Sequence, residues 1–184
     1  ADGSNDDSYE KCKYSIIQKP TIGRNPVLWL QLLLYKNVLD QRKLMFLTTA
    51  LHFINNLTSL VLENQENSEN LTFKLPLLST LETLTLNINN CTLILCKEWV
   101  SIVPKRLKEV VIKSVKANAS TLFLLTKTLS QCAALEKLEL FPSEIWTKDN
   151  EILTETSDLT NNLLHKQLES MFTIKTLKTL SYKL

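Results

Sequence analysis

The hydrophobic positions of this chain follow neither of the two simple periods. In "LETLTLNINNCTL", Leu81 to Leu93, leucine falls at Leu81, Leu84 and Leu86, followed by Asn89 and Cys91. A strand alternates every second residue and a helix recurs at three and four, but this spacing mixes three with two. The same Leu-x-x-Leu-x-Leu stutter returns in "LTSLVL" (Leu57, Leu60, Leu62), "LKEVVI" (Leu107, Val110, Ile112), "LEKLEL" (Leu135, Leu138, Leu140) and "LKTLSY" (Leu177, Leu180, Tyr182). A weaker copy is "VLWLQL" at Val27, Leu30 and Leu32. Successive copies start 30, 24, 26, 28 and 42 residues apart.

Apolar residues at the first, fourth and sixth positions predict a short parallel strand. Each repeat alone exposes an apolar face, and stacking on its neighbours buries that face. Between the strands, "LDQRKLMFLTTALHFI" (Leu39 to Ile54) and "NASTLFLLTKTLSQC" carry leucines at helical spacing, the second with Asn118 or Ser120 as N-cap. "CTLILCKEWVSIVP" reads as a shorter helix ended by Pro104, and Pro76 limits "LTFKLPLLST" to a turn or short helix.

On these residues the chain resembles a leucine-rich repeat array, with "LETLTLNINNCTL" closest to the pattern L-x-x-L-x-L-x-x-N/C-x-L. Asn89 occupies the ninth position there, whereas the other repeats place Gln65, Val115 and Ser143 at it. The long, helix-containing repeats are similar to the ribonuclease-inhibitor-like subclass found in intracellular proteins. The resemblance implies an α/β fold: a curved solenoid with parallel strands on its concave face and helices on its convex face. It covers residues 25–184 as about six degenerate repeats. Residues 1–24 read as a disordered acidic lead with an N-terminal cap, and the 42-residue step as an insertion near 142–160. The polar start "ADGSNDDSYE" reads as that of a fragment or processed product.

Composition narrows the function by exclusion. Two glycines in 184 residues leave no Gly-rich phosphate loop. A net charge of +2 gives nonspecific nucleic-acid binding no support, and no apolar run reaches membrane-spanning length. Cys12, Cys91, Cys96 and Cys132 show neither zinc-ligand spacing nor the clustered cap cysteines of secreted leucine-rich arrays. They read as reduced, unreactive thiols, with Cys91 facing the core and Cys96 and Cys132 in helices, which favours the cytoplasm or nucleus. His52 reads as a core residue and His165 as a surface one, with no nucleophile beside either in sequence. Glu66 and Glu69 read as loop charges, and "PKRLKEVVIKSVK" as a solvated basic face interrupted by Glu109. The expectation is no catalytic residues, no metal and no cofactor.

What remains is a surface. The strand positions between the inward leucines face out and carry Val61 and Glu63, Thr85 and Asn87, Val111 and Lys113, Glu139 and Phe141. The seventh positions, Glu63, Asn87, Lys113 and Phe141, should form one row across neighbouring strands. Trp146, in the insertion, is a second aromatic anchor. These nine residues are the candidate site for another protein, bound by a non-catalytic interaction module, with a substrate receptor or adaptor of a larger intracellular assembly as its role by resemblance. The alternative is a secreted or cell-surface recognition domain, for which the sequons at Asn56, Asn70, Asn90 and Asn118 speak.

Overall fold

A computed structural model describes residues 12–18, 34, 39–54, 56–66, 69–147 and 158–184, with the backbone alone for 158–161. It is a mixed α/β fold built on two sheets. The first has six strands in the order β1 (Cys12–Gln18), β2 (Leu57–Asn64), β4 (Thr83–Ile88), β6 (Glu109–Lys113), β8 (Lys137–Phe141) and β10 (Thr179–Tyr182). The second has four, β3 (Leu71–Leu75), β5 (Cys91–Leu95), β7 (Lys116–Asn118) and β9 (Glu144–Trp146). From β2 to β9 each first-sheet strand is followed in the chain by a second-sheet strand. All pairings are parallel except β1 with β2, which is antiparallel. Among the described residues three helices join them: α1 (Gln41–Leu51), α2 (Ala119–Ser130) and α3 (Asp158–Met171), with a 3-10 turn at Lys97–Val100.

The five strong stutters all become first-sheet strands. Leu60, Leu84, Val110, Leu138 and Leu180 lie in one cross-strand row, and Leu62, Leu86, Ile112, Leu140 and Tyr182 in the next. In the four strands β2, β4, β6 and β8 these inward residues are fully buried, as are Leu57, Leu107 and Leu135 just ahead of the ladder. The first apolar position fixes the entry to the strand and the next two line the pleat, which is why three is followed by two. The weaker stutter at Val27 lies outside the described residues.

Hydrogen bonds close each entry in the same way. The N–H groups of Glu82, Lys108, Glu136 and Lys178 donate to the carbonyls of Thr58, Glu82, Lys108 and Glu136 at 2.7–2.8 Å. Thr80 and Thr176 add hydroxyl donors to Leu57 and Leu135. At the exit, Asn89 donates its side-chain amide to the Gln65 carbonyl at 2.9 Å, satisfying a backbone acceptor at the turn. Ser143 does the equivalent with its hydroxyl on Ser114, whereas Val115 cannot and is buried instead.

Two segments differ from their expected form. Leu71–Leu75 and Cys91–Leu95 are strands of the second sheet, not a turn and a helix. Their period is two: Leu71, Phe73 and Leu75, then Cys91 and Leu93, are buried between more exposed neighbours. Pro76 follows β3 rather than interrupting it, and the helical spacing after Cys91 shrinks to the four-residue 3-10 turn, where Trp99 is buried and its indole N–H donates to Leu75.

The two expected helices form, shorter than read. Asp40 caps α1 by accepting from the Lys43 N–H at 2.8 Å, and Asn118, not Ser120, caps α2 by accepting from the Ser120 N–H at 2.9 Å. Within the 1–24 segment, Cys12–Gln18 is a strand covering the outer edge of β2. In the 142–160 insertion, β9 and the first turn of α3 are structured, and 148–157 lie outside the described residues.

The core lies between the sheets and under the helices as one continuous apolar cluster. All four cysteines are free. Cys91 is buried as expected, but Cys96 precedes the 3-10 turn and Cys132 follows α2, so neither is in a helix. Burial pushes the Cys91 thiol up to about 12 and raises Cys96 and Cys132. No helix among the described residues is long and apolar enough to cross a membrane.

Candidate functional site

The inward face of the first sheet is sealed in the core, so its chemistry must be read on the other face. Parallel pairing sets that face in three rows. Glu63, Asn87, Lys113 and Phe141 are in direct register, as expected, and Lys13 of β1 extends the row beyond Glu63. Val61, Thr85, Val111 and Glu139 form the middle row, continued by Ser15 at one end and Ser181 at the other. Ile17, Ser59, Thr83, Glu109, Lys137 and Thr179 form the third. With strands about 4.8 Å apart, six strands make a face about 24 Å across.

Eight of the nine candidate residues share this face, all partly exposed. Trp146 does not. It ends β9 in the second sheet, paired with Asn118 of β7, and projects outward from that sheet because Ile145 beside it is buried. Phe141 and Trp146 are therefore anchors on different sheets.

The charges of the face largely satisfy one another. Lys113 Nζ sits 2.7 Å from one Glu139 oxygen and Lys137 Nζ 3.1 Å from the other. These two hydrogen bonds hold the Glu139 carboxyl below the usual carboxylate range. Lys113 also lies 5.7 Å from the centre of the Phe141 ring, a cation–π contact. Lys113 is thus already engaged by an acid and an aromatic, which corrects the expectation of a lysine waiting for a partner's carboxylate. Asn87 accepts from the Ser114 hydroxyl at 2.9 Å. At the strand entries Lys108 pairs with Glu82 and Lys178 with Glu136.

What this leaves open is an uncharged centre, Val61, Thr85 and Val111, flanked by Phe141 on one side. Sequence reasoning missed β1 and with it Lys13, Ser15 and Ile17. Alternation in "CKYSIIQ" around the buried Ile16 was the available signal.

Other candidates fall elsewhere. His52 is exposed at the C-terminus of α1, not in the core, because the last helical turn carries it past Leu51. It borders a cleft of about 380 Å³ with Leu51, Asn56, Leu78, Ser79 and Thr80. His165 is half-buried, its ring 6.1 Å from Tyr182. Glu66 and Glu69 are exposed, and in the basic run Lys108, Lys113 and Lys116 each face an acid on a neighbouring strand or its entry. Among the described residues no three His, Cys, Asp or Glu side chains group as metal ligands. Of the sequon asparagines, Asn56, Asn70 and Asn90 are exposed, while Asn118 is committed to capping α2.

No family model matches the chain, and neither a curated protein nor a solved structure matches it.

Proposed function

We propose that this chain is a non-catalytic protein-binding module of leucine-rich repeat type, a curved array that grips a partner on the outward face of its first sheet. One observation carries this reading: three in-register rows run across that face, with an uncharged strip of Val61, Thr85 and Val111 at its centre. Such a strip costs little to desolvate, and the paired lysines and glutamates around it form the polar rim usual in interfaces. Phe141 is the aromatic anchor. An adaptor or substrate receptor in a larger intracellular assembly is the role, and the buried free thiols favour a reducing compartment.

Arginine at Val111 tests this directly, since the position is outward and an added side chain does not enter the core. Val111→Arg and Phe141→Ala should each weaken partner binding by roughly thirtyfold or more, with the melting temperature close to wild type. Normal binding by both variants would move the site off this face.

The exposed sequon asparagines favour a second reading, a secreted or cell-surface recognition domain. Mass spectrometry before and after glycosidase treatment of protein from its natural source separates the two. A loss of mass at Asn56, Asn70 or Asn90 would replace the intracellular assignment.

A further inference from the structure

Of the four thiols, Cys12 is the one that is only half-buried. It lies on the inward side of β1, in register with Asn64 at the end of β2. Its thiol donates to Asn64 Oδ1, with Sγ and oxygen 3.6 Å apart. The same oxygen accepts from the Glu66 N–H at 3.0 Å. Two donors on Oδ1 fix which end of the amide is oxygen and which is nitrogen. Asn64 is wholly buried, and its Nδ2 is left there without a hydrogen-bond partner. Buried donors are ordinarily paired, so this amide marks a place where an acceptor is missing.

Tyr14, two residues along β1, shares the inward side with Cys12. Burial, and then a hydrogen bond to Cys12, push its phenol far above the ordinary value, so its hydroxyl keeps its proton and remains a donor. The sulfur of Cys12 therefore borders a phenolic O–H and the amide whose N–H is unpaired. Sulfur itself is a weak acceptor and satisfies neither well. An oxygen atom carried on that sulfur would satisfy both.

We propose that Cys12 is a site of reversible oxidation by hydroperoxides to a sulfenic acid, held in place by Asn64 Nδ2 and the Tyr14 hydroxyl. With hydrogen peroxide, the thiol first releases its proton to solvent and Sγ attacks one peroxide oxygen. The S–O bond forms as the O–O bond breaks. The departing hydroxide takes up the released proton and leaves as water. Sulfur gives up two electrons and the peroxide accepts them. Cys91, Cys96 and Cys132 are buried on other elements, and burial raises all three thiols, so none of them condenses with the product to a disulfide. The sulfenic acid persists until a small thiol reduces it.

The test exposes the full chain to hydrogen peroxide, stops the reaction with catalase, and adds dimedone after increasing delays, with peptide mass mapping of the adduct. In the folded protein dimedone should mark Cys12 and spare the other three cysteines, and dithiothreitol given first should abolish the mark. Exposure alone would direct the label to Cys12, so the lifetime of the sulfenic acid decides. It should be at least about tenfold longer in the folded chain than in urea, where the amide and phenol no longer surround it, since two hydrogen bonds are lost there. Asn64→Leu and Tyr14→Phe should each shorten it about fivefold, the loss of one hydrogen bond. Should Asn64→Leu fail to fold, Tyr14→Phe carries the comparison. No adduct at Cys12, a disulfide from Cys12 to another thiol, or a lifetime unchanged in a folded variant would overturn the proposal.

Discussion

Leu84→Ala probes the register of the whole first sheet. Leu84 is the second residue of β4, held between Leu60 and Val110 on the strands to either side, and is fully buried. The change removes three carbons, worth about 2.4 kcal/mol by transfer at ~0.8 kcal/mol each. Neighbouring strands fix the backbone on both sides, so the site cannot collapse, and the cavity raises the cost to about 3–4 kcal/mol. Leu180→Ala is the control. It occupies the same row on β10, the last strand of the parallel run, but is only half-buried, so about 1–2 kcal/mol is expected. Urea unfolding followed by circular dichroism reads both. With a slope of about 2 kcal/mol per molar, Leu84→Ala should lower the midpoint by about 1.5–2 M and Leu180→Ala by less than about 1 M. Equal shifts, or a cost at Leu84 below about 1 kcal/mol, would refute the inward row.

Removing the α2 cap with Asn118→Ala should cost about 0.5–2 kcal/mol in the same assay, and Asn118→Asp should restore most of it. Alkylation of the native protein at neutral pH should modify Cys12 first, because it alone of the four cysteines is only half-buried; all four should react in denaturant. Since burial raises the folded-state pKa of Cys91 to about 12 from 9.0, its contribution is intact below pH 9 and is lost as pH rises toward 12. Stability should then fall by about 1.4 kcal/mol per pH unit for this group, and Cys91→Ala should flatten that slope. Glu139 behaves oppositely, its lowered pKa giving stability present above the ordinary carboxylate range and lost on acidification. Lys113→Ala should raise the Glu139 pKa toward its ordinary value in a carbon-13 carboxyl titration, and an unmoved pKa would show that the ion pair does not form.

The first sheet was legible because its code is local. Each stutter carries its own three inward residues, and the exposed positions between them follow once the strand direction is known. Glu63, Asn87, Lys113 and Phe141 could therefore be placed in one row from spacing alone. The second sheet was not, for a physical reason. A five-residue strand such as "CTLIL" carries too few positions to separate period two from a helical turn, and here Cys91, Leu93 and Cys96 satisfy both patterns in part. Its identity is decided by the neighbouring strand, with Leu71 to Leu75 in register beside it. Trp146 was misplaced for the same reason, since the chain returns to the second sheet within three residues of Phe141. The engagement of Lys113 by Glu139 was hidden because the two are 26 residues apart and meet only through the register of β6 with β8.

The central claim is that the outward face of the first sheet holds the partner. A photo-crosslinking amino acid placed in turn at Val61, Thr85 and Val111, and as controls at Thr72, Ile94 and Lys116 on the outer face of the second sheet, measures this in cells that express the protein. The three first-sheet positions should yield one and the same cross-linked species, lost on adding Phe141→Ala, and the second-sheet positions should not. Cross-linking that is equal from both sheets, or confined to the second, would contradict the account.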